Sequence, residues 1–268
     1  MSKNRIITLL TDFGLSDVYV GVMKGTIAQI NPELKVIDIT HQIPPQNIAA
    51  GRFCLMSAYT YFPPETVHIA VVDPGVGSNR RAIAVKCANC LLVGPDNGLF
   101  SGVLSQESAI ASVELTNPQY WRTPQVSSTF HGRDIFAAAG AHLATGVRLE
   151  ELGEAIDPAS LVRLQIPNCT VTATGIEGCV QYVDRFGNII TNIPKNSIQK
   201  NNWSITISNI SDSILIPSGQ TYNDCEPGDL IAMIGSEGWV EISVNGGSAQ
   251  SVLKLEYGAI VQLLFGNN

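Results

Sequence analysis

Val67-His68-Ile69-Ala70-Val71-Val72-Asp73-Pro74-Gly75-Val76-Gly77 passes from an apolar run straight into a turn. Apart from His68, the run Val67 to Val72 is continuously apolar, the pattern of a strand buried on both faces rather than one that alternates toward solvent. Strands of that kind belong to parallel sheets covered by helices. The preceding sequence supplies the rest of such a unit. Arg5 to Leu10 reads as a strand ending in Thr11-Asp12-Phe13-Gly14. Val20 to Ile30 then sets Val22, Met23, Thr26, Ile27 and Ile30 on one helical face and stops at Asn31-Pro32. Lys35 to Ile39 is a second strand, and Ile48 to Tyr61 a second helix closed by Phe62-Pro63-Pro64. Ala82 to Val85 and Leu91 to Val93 are further strand-like runs, and Asp134 to Leu143 is an alanine-rich helix. The expected class is α/β, with a mainly parallel central sheet over residues 1–160.

The pattern changes after about residue 165. Thr170 to Ile176, Gly178 to Val183, Trp203 to Ile207, Ser213 to Ile216, Asp229 to Ile234, Trp239 to Val244 and Ala259 to Phe265 are short runs, many alternating with period two. Gly, Asn and Ser clusters separate them, as in an antiparallel β-barrel or small sandwich. A C-terminal β-barrel domain is expected over 168–268, with Asp157 to Pro167 as linker.

Composition narrows the function classes. Of 268 residues, 45% are hydrophobic and 15% charged, enough apolar material for a core and too little charge for a disordered chain. A net charge of −7 argues against nucleic acid as a partner. The apolar runs are far shorter than the ~20 residues of a membrane span, and Met1 to Ile7 leads into Thr8, Thr11 and Asp12 with no leader-like apolar stretch, so a cytoplasmic protein is expected. The six cysteines form no disulfide framework at this length. Cys87-Ala88-Asn89-Cys90 is a lone pair that lacks the second pair or histidines of a zinc site, and reads as buried thiols.

Ligands of open α/β sheets bind beyond the carboxyl ends of the strands. Here those ends carry Asp12, Asp38 with His41, Asp73, and Asp96 in Pro95-Asp96-Asn97-Gly98. Each acid has an ordinary reading as a turn or cap residue; their recurrence at successive strand ends points to a site. Arg80-Arg81 follows Asp73 closely enough to fix a carboxylate in orientation. Phe130-His131-Gly132-Arg133-Asp134 opens the alanine-rich helix, with Asp134 placed to suit the helix dipole, His131 facing the cleft and His142 in a structural role. In the second half, Asp184-Arg185-Phe186-Gly187-Asn188 offers an aromatic and an amide suited to an adenine, or simply a turn, and Gly235-Ser236-Glu237-Gly238-Trp239 forms a second such loop.

Taken together, Thr11-Asp12-Phe13-Gly14, Asp17-Val18-Tyr19-Val20-Gly21, Val72 to Gly77, Pro95 to Gly98, Phe130 to Asp134, Phe186-Gly187-Asn188 and Gly235 to Gly238 resemble, in order and spacing, the S-adenosyl-L-methionine hydroxide adenosyltransferase family. These are the hydrolase relatives of fluorinase and chlorinase. The resemblance implies attack of water on S-adenosyl-L-methionine to give adenosine and L-methionine. It also implies a homotrimer with sites at subunit interfaces, and no cofactor or metal. It places the water-handling residues at Asp73, Arg80 and His131 and the ribose carboxylate at Asp12. Phe186 and Asn188 fall around the adenine and Ser236, beside Glu237, at the methionine end; Asp17 and Asp184 fall on further binding positions. The halogenases differ by a tyrosine where this chain has Asp73, a small polar residue where it has Val76, and an inserted loop for which Arg81 to Pro95 leaves no room.

The chemistry agrees with the residues. A sulfonium leaves as a neutral thioether, so the protein need only position a water in line with the ribose C5′–S bond and accept its proton. A carboxylate such as Asp12 can accept from both vicinal ribose hydroxyls. The competing readings are a halide-using adenosyl transferase, a metal-dependent hydrolase built on Asp12, Asp38, His41 and Asp73, and an adenosine or S-adenosyl-L-methionine binding module with little turnover.

Overall fold

The computed structural model describes residues 5–200, 202–207 and 214–266. Two compact units divide the chain, Met1–Leu164 and Gln165–Asn268. Met1 to Asn4 and Ser213, which enter the leader and strand readings, lie outside the described residues.

The first unit runs β1 (Ile7–Thr11), α1 (Tyr19–Ile30), β2 (Val36–Thr40), α2 (Ile48–Ala58), β3 (Thr66–Val71), β4 (Ala82–Lys86), β5 (Cys90–Pro95), α3 (Val103–Gln106), β6 (Ala111–Glu114), α4 (Ala137–Thr145) and β7 (Glu154–Ile156). Its sheet has the order β2-β1-β3-β5-β4-β6-β7. The β2-β1-β3-β5 half is parallel, and the β5-β4-β6-β7 edge is antiparallel. The expected mainly parallel sheet is therefore present, with an antiparallel extension. That extension was hidden because Lys86 and Leu91 pair across a turn of only a few residues, with Cys87 N donating to Cys90 O at 2.9 Å.

β1 and β3 are buried along their whole length, as their apolar runs required. His68, the polar exception in β3, is buried with its Nδ1 2.7 Å from Thr8 Oγ1 and its ring edge-on to Phe62. Alanine-rich α4 packs close to β3: Gly140 sits where a Cβ would run into Ile69. The Ile48 to Tyr61 helix ends as a 3-10 turn over Tyr59–Tyr61.

The second unit comprises β8 (Thr170–Val171), β9 (Gly175–Val183), β10 (Ile189–Pro194), β11 (Trp203–Ile207), β12 (Ile214–Pro217), β13 (Leu230–Ile234), β14 (Trp239–Val244), α5 (Ala249–Leu253) and β15 (Ile260–Phe265). The order β12-β11-β15-β9-β10-β14-β13 is antiparallel throughout, with β8 pairing off the path on β9. An isolated bridge between Ser218 and Ala232 links the two ends of that order, so the sheet nearly closes into a barrel. Its interior holds Ile176, Val180, Ile205, Ile216, Val240, Ile242 and Leu263, among others. β10 and α5 were not anticipated: Thr191-Asn192 reads as a polar interruption until the register places Thr191 Oγ1 on Val240 O at 2.9 Å.

Candidate active site

Asp73 lies just beyond the carboxyl end of β3. The turn after it is built by Val76 N donating to Asp73 O (3.2 Å) and Ser78 N to Gly75 O (3.1 Å). Gly77 adopts φ +76°, and a Cβ there would run into the carbonyl of Ser128, so this position requires glycine. Asn97 Nδ2 donates to Val72 O at 2.8 Å and holds the strand end from the neighbouring β5 loop.

The loop returns Arg80 onto Asp73. Arg80 Nε donates to Oδ1 at 3.0 Å and to Oδ2 at 3.1 Å, and Nη2 to Oδ2 at 2.5 Å. The two side chains are only 10% and 5% exposed. The guanidinium carbon lies 5.3 Å from the centroid of the Phe136 ring, a cation–π contact that fixes its plane. The same Nη2 lies 2.8 Å from His131 Nδ1. An arginine nitrogen can only donate, so Nδ1 is the acceptor, and neutral His131 carries its proton on Nε2. Burial, and then the Arg80 charge, hold His131 below the ordinary histidine value against the opposing pull of Asp73 and Asp134. Sequence reasoning placed these three residues in one site; the structure shows one connected chain, Asp73–Arg80–His131.

His131 precedes a π-helical turn, Gly132–Phe136, that leads into α4. Asp134 in that turn does more than complement a helix dipole. Fully buried, it accepts from Arg122 Nε (2.6 Å), Arg133 Nε (2.7 Å), Arg133 Nη2 (2.8 Å) and Ser127 N (2.8 Å). Burial alone would raise its carboxyl, but these bonds and charges outweigh it and hold the group well below the carboxylate range. Asp134 thus anchors the segment that carries His131.

Asp12 follows β1, where its Oδ2 accepts from Gln46 N at 2.7 Å and its Oδ1 takes no bond among the described residues. Behind it, Thr11 Oγ1 lies 2.9 Å from buried His41 Nδ1 and accepts from Phe13 N at 3.2 Å. His41 Nε2 lies 3.2 Å from Asp38 Oδ1, while Lys24 Nζ reaches Asp38 Oδ2 at 2.7 Å. Asp38 is lowered despite partial burial, by those Lys24 and His41 contacts. Phe13, Tyr19 and Phe130 form an edge-to-face trio with centroids 5.3–5.9 Å apart beside this loop.

The strand-end aspartates therefore separate by role. Asp96 is spent on Arg81, whose Nη2 and Nε donate to it at 2.5 and 2.9 Å, and on Val162 N at 2.9 Å. Asp38 is spent on Lys24 and His41. Asp12 and Asp73 keep open lone pairs. Among the described residues, Asp12, Asp38, His41 and Asp73 do not bring ligand atoms within reach of a single ion. Asp17 is exposed in the loop before α1. His142 packs edge-on to Tyr120 at 5.1 Å, a structural contact.

In the second unit, Asp184, Phe186 and Asn188 share the β9–β10 turn. Asp184 Oδ1 accepts from Phe186 N (2.8 Å) and Asn188 N (2.9 Å), and Oδ2 from Asn188 Nδ2 (2.9 Å). Asp184 thus braces the turn, buries Asn188 with its side-chain carbonyl left to accept, and leaves the Phe186 ring 79% exposed. Ser236 and Glu237 occupy the β13–β14 turn, both exposed, with Ser236 Oγ 3.4 Å from Glu237 Oε1. The supports that sequence reasoning missed are Asn97, Gln46, His41 with Thr11, and Phe136. Thr11, His41 and Asn97 stand in or beside motifs already singled out, but their supporting contacts reach distant segments, so those roles are not readable locally.

Known proteins resemble this chain along nearly its whole length. The SAM hydroxide adenosyltransferase N-terminal domain matches residues 7–153 and the corresponding C-terminal domain residues 178–262. An (R)-S-adenosyl-L-methionine hydrolase of Salinispora tropica is 40% identical over 94% of this chain and 95% of its own length. One of Thermus thermophilus is 37% identical over 97% and 100%. A fluorinase of Actinopolyspora mzabensis is more distant, 25% identical over 96% of each chain. The crystal structure of an uncharacterized conserved protein from Thermotoga maritima superposes with a TM-score of 0.88 at 35% identity, covering 96% of this chain and 99% of that one. With both of its domains matched and relatives of up to 40% identity along nearly its whole length, the chain belongs to the SAM hydroxide adenosyltransferase family.

Proposed function

We propose that the protein hydrolyses S-adenosyl-L-methionine to adenosine and L-methionine, with water attacking ribose C5′ in line with the departing sulfur. The observation that carries the reading is the Asp73–Arg80–His131 chain. Asp73 Oδ1 receives one bond from Arg80 and keeps a lone pair for a water proton. His131, with Nδ1 occupied by Arg80, has Nε2–H left to donate to the same water. A water that donates to Asp73 and accepts from His131 retains one lone pair for carbon. The O–C5′ bond forms as the C5′–S pair leaves with sulfur, and the proton passes to Asp73. The hydrogen-bond pattern favours Asp73 over His131 as the acceptor.

Asp12 Oδ1 is open to the ribose hydroxyls, exposed Phe186 offers a stacking face, and the Asn188 side-chain carbonyl can accept from an adenine amino group. Ser236 with Glu237 would hold the methionine end, and Asp17 would contribute from the loop before α1. No step requires a metal or cofactor. We further propose a homotrimer with each site at a subunit interface, a cytoplasmic setting, and an N-terminal domain over 1–160 joined to a barrel domain over 168–268. No described helix is long and apolar enough to cross a membrane.

The test is incubation of purified protein with S-adenosyl-L-methionine in ¹⁸O-water, chloride and EDTA, with products resolved by mass-detected chromatography. Both sulfonium epimers are assayed, because the matched relatives are named for the (R) form. Labelled adenosine plus methionine, with the (R) epimer consumed faster, is expected. 5′-Chloro-5′-deoxyadenosine as main product would overturn the choice of nucleophile. Tight adenosine binding without turnover would favour a binding module, and light scattering of the same sample reads the trimer.

A further inference from the structure

The β4–β5 hairpin brings Cys87 and Cys90 face to face across its tip, with Cys87 N donating to Cys90 O at 2.9 Å. Both thiols are buried. Taken from sequence alone, this pair lacks further ligands. The fold supplies one: Glu107, at the C-terminal end of α3, places a carboxylate oxygen so that it and the two Sγ atoms all lie within 4.8 Å of one another. We propose that Cys87, Cys90 and Glu107 form a binding site for a thiophilic divalent cation of the zinc class, with water as fourth ligand.

Three features support this. A tetrahedral zinc with two thiolates and one carboxylate needs S···S near about 3.8 Å and S···O near about 3.5 Å, so closing the separations by at most about 1.0 and 1.3 Å completes the site. The carboxylate is already oriented: Asn89 N donates to Oε2 at 3.1 Å and Asn89 Nδ2 to Oε1 at 2.8 Å. Such an outer contact is the usual support of a metal-bound carboxylate, and it leaves lone pairs on both oxygens. The hairpin tip that carries the ligands is itself fixed by Glu65 N donating to Asn89 O at 2.7 Å.

Binding would replace the two thiol protons with metal–sulfur bonds and tie the hairpin to α3. Cys90 opens β5, whereas the catalytic loops lie past its other end, about 16 Å away at the rise of an extended strand. The site is therefore separate from the hydrolytic one and independent of that assignment.

The experiment uses full-length protein, reduced, stripped with chelator and desalted, with its free thiols counted. Titration with Co(II) should produce a near-ultraviolet thiolate-to-metal band and tetrahedral visible bands that saturate at one equivalent and vanish when Zn(II) is added. Cys87→Ser and Cys90→Ser should each abolish the band. Asn89→Ala at an exposed position and Glu107→Gln at a half-buried one, both outside the hairpin core, should weaken binding by about tenfold or more. S-adenosyl-L-methionine turnover should be the same in all four variants and with or without metal. No thiolate band in the reduced wild type, or a band that survives both cysteine variants, overturns the site. So does an unchanged affinity in Glu107→Gln.

Discussion

Asp73→Asn asks most directly what the buried pair does. The substitution keeps shape and one acceptor oxygen but removes the charge. In the wild type, two of the three Arg80 contacts fall on Oδ2 and one on Oδ1. An asparagine that keeps its oxygen at the Oδ2 position turns its NH₂ toward Arg80 Nε, so one charge-assisted bond is lost and two donors face each other. A hydrogen bond to a charged group contributes about 1.5–3 kcal/mol, so unfolding free energy should fall by roughly that amount. The pair is too well buried for solvent to replace the bond. The expected effect on catalysis is larger: the lone pair proposed to receive the water proton becomes an N–H donor. Loss of a general base costs about 10²–10⁴-fold, or about 3–5 kcal/mol of barrier. Steady-state kinetics should show kcat lowered by that factor with KM changed less than about threefold, and urea unfolding should report the stability loss separately. If kcat stays within tenfold of wild type while the fold is intact, Asp73 is not the proton acceptor.

Three further outcomes are expected. Because burial and Arg80 lower His131, it is neutral at and above the ordinary histidine value; kcat/KM should be flat there and fall only at lower pH, as protonated Nδ1 can no longer accept from Arg80. An acid limb above pH 6.5 would contradict that tautomer. His68 is held near pKa 4 by burial against 6.5 in the unfolded chain, so the unfolded state binds the extra proton. The stability this contributes is complete above pH 6.5 and lost as pH falls toward 4, about 3 kcal/mol in all, and His68→Gln should flatten that part of the urea-midpoint profile. Phe186→Ala removes a side chain that packs little against its own unit and should change stability by less than about 0.5 kcal/mol while raising KM; Asn188→Ala should also act mainly on KM, and a large fall in kcat with unchanged KM in either variant would remove them from the binding role.

The parts of the fold legible in the sequence were those with a strong local signal. β3 announced itself through a run without alternation, and α1 through a one-sided stripe ended by Asn31-Pro32. The β-barrel emerged from short alternating runs between turn clusters. What stayed hidden was set by register. Thr191 reads as polar until the sheet supplies its partner on β14, so β10 carries no local strand signal. The candidate site shows the same division. Asp73 and Arg80 lie close in sequence, so their pairing could be expected. The neighbouring Arg81 looks equivalent, and only the loop geometry turns it away to Asp96. His41 was grouped with the acids as a possible metal ligand, yet it spends Nδ1 on Thr11 and its other edge on Asp38, shaping the loop before Asp12.

The choice of nucleophile follows from what each candidate must shed. A halide attacks carbon without giving up a proton; it has only to lose its hydration shell and meet neutral donors. Water is a poor nucleophile unless something accepts a proton as the O–C5′ bond forms. A buried carboxylate serves the second and opposes the first, because it repels an anion placed beside it. Arg80 does not reverse that preference. Its Nε and Nη2 are committed to Asp73 and His131, so the pair presents to the cleft a carboxylate lone pair rather than a bare cation. The turn that carries Val76 offers no side-chain hydroxyl at that position. A site with an acceptor for protons and few donors for anions is suited to water, and in the proposed mechanism the Asp73–Arg80–His131 chain supplies that acceptor.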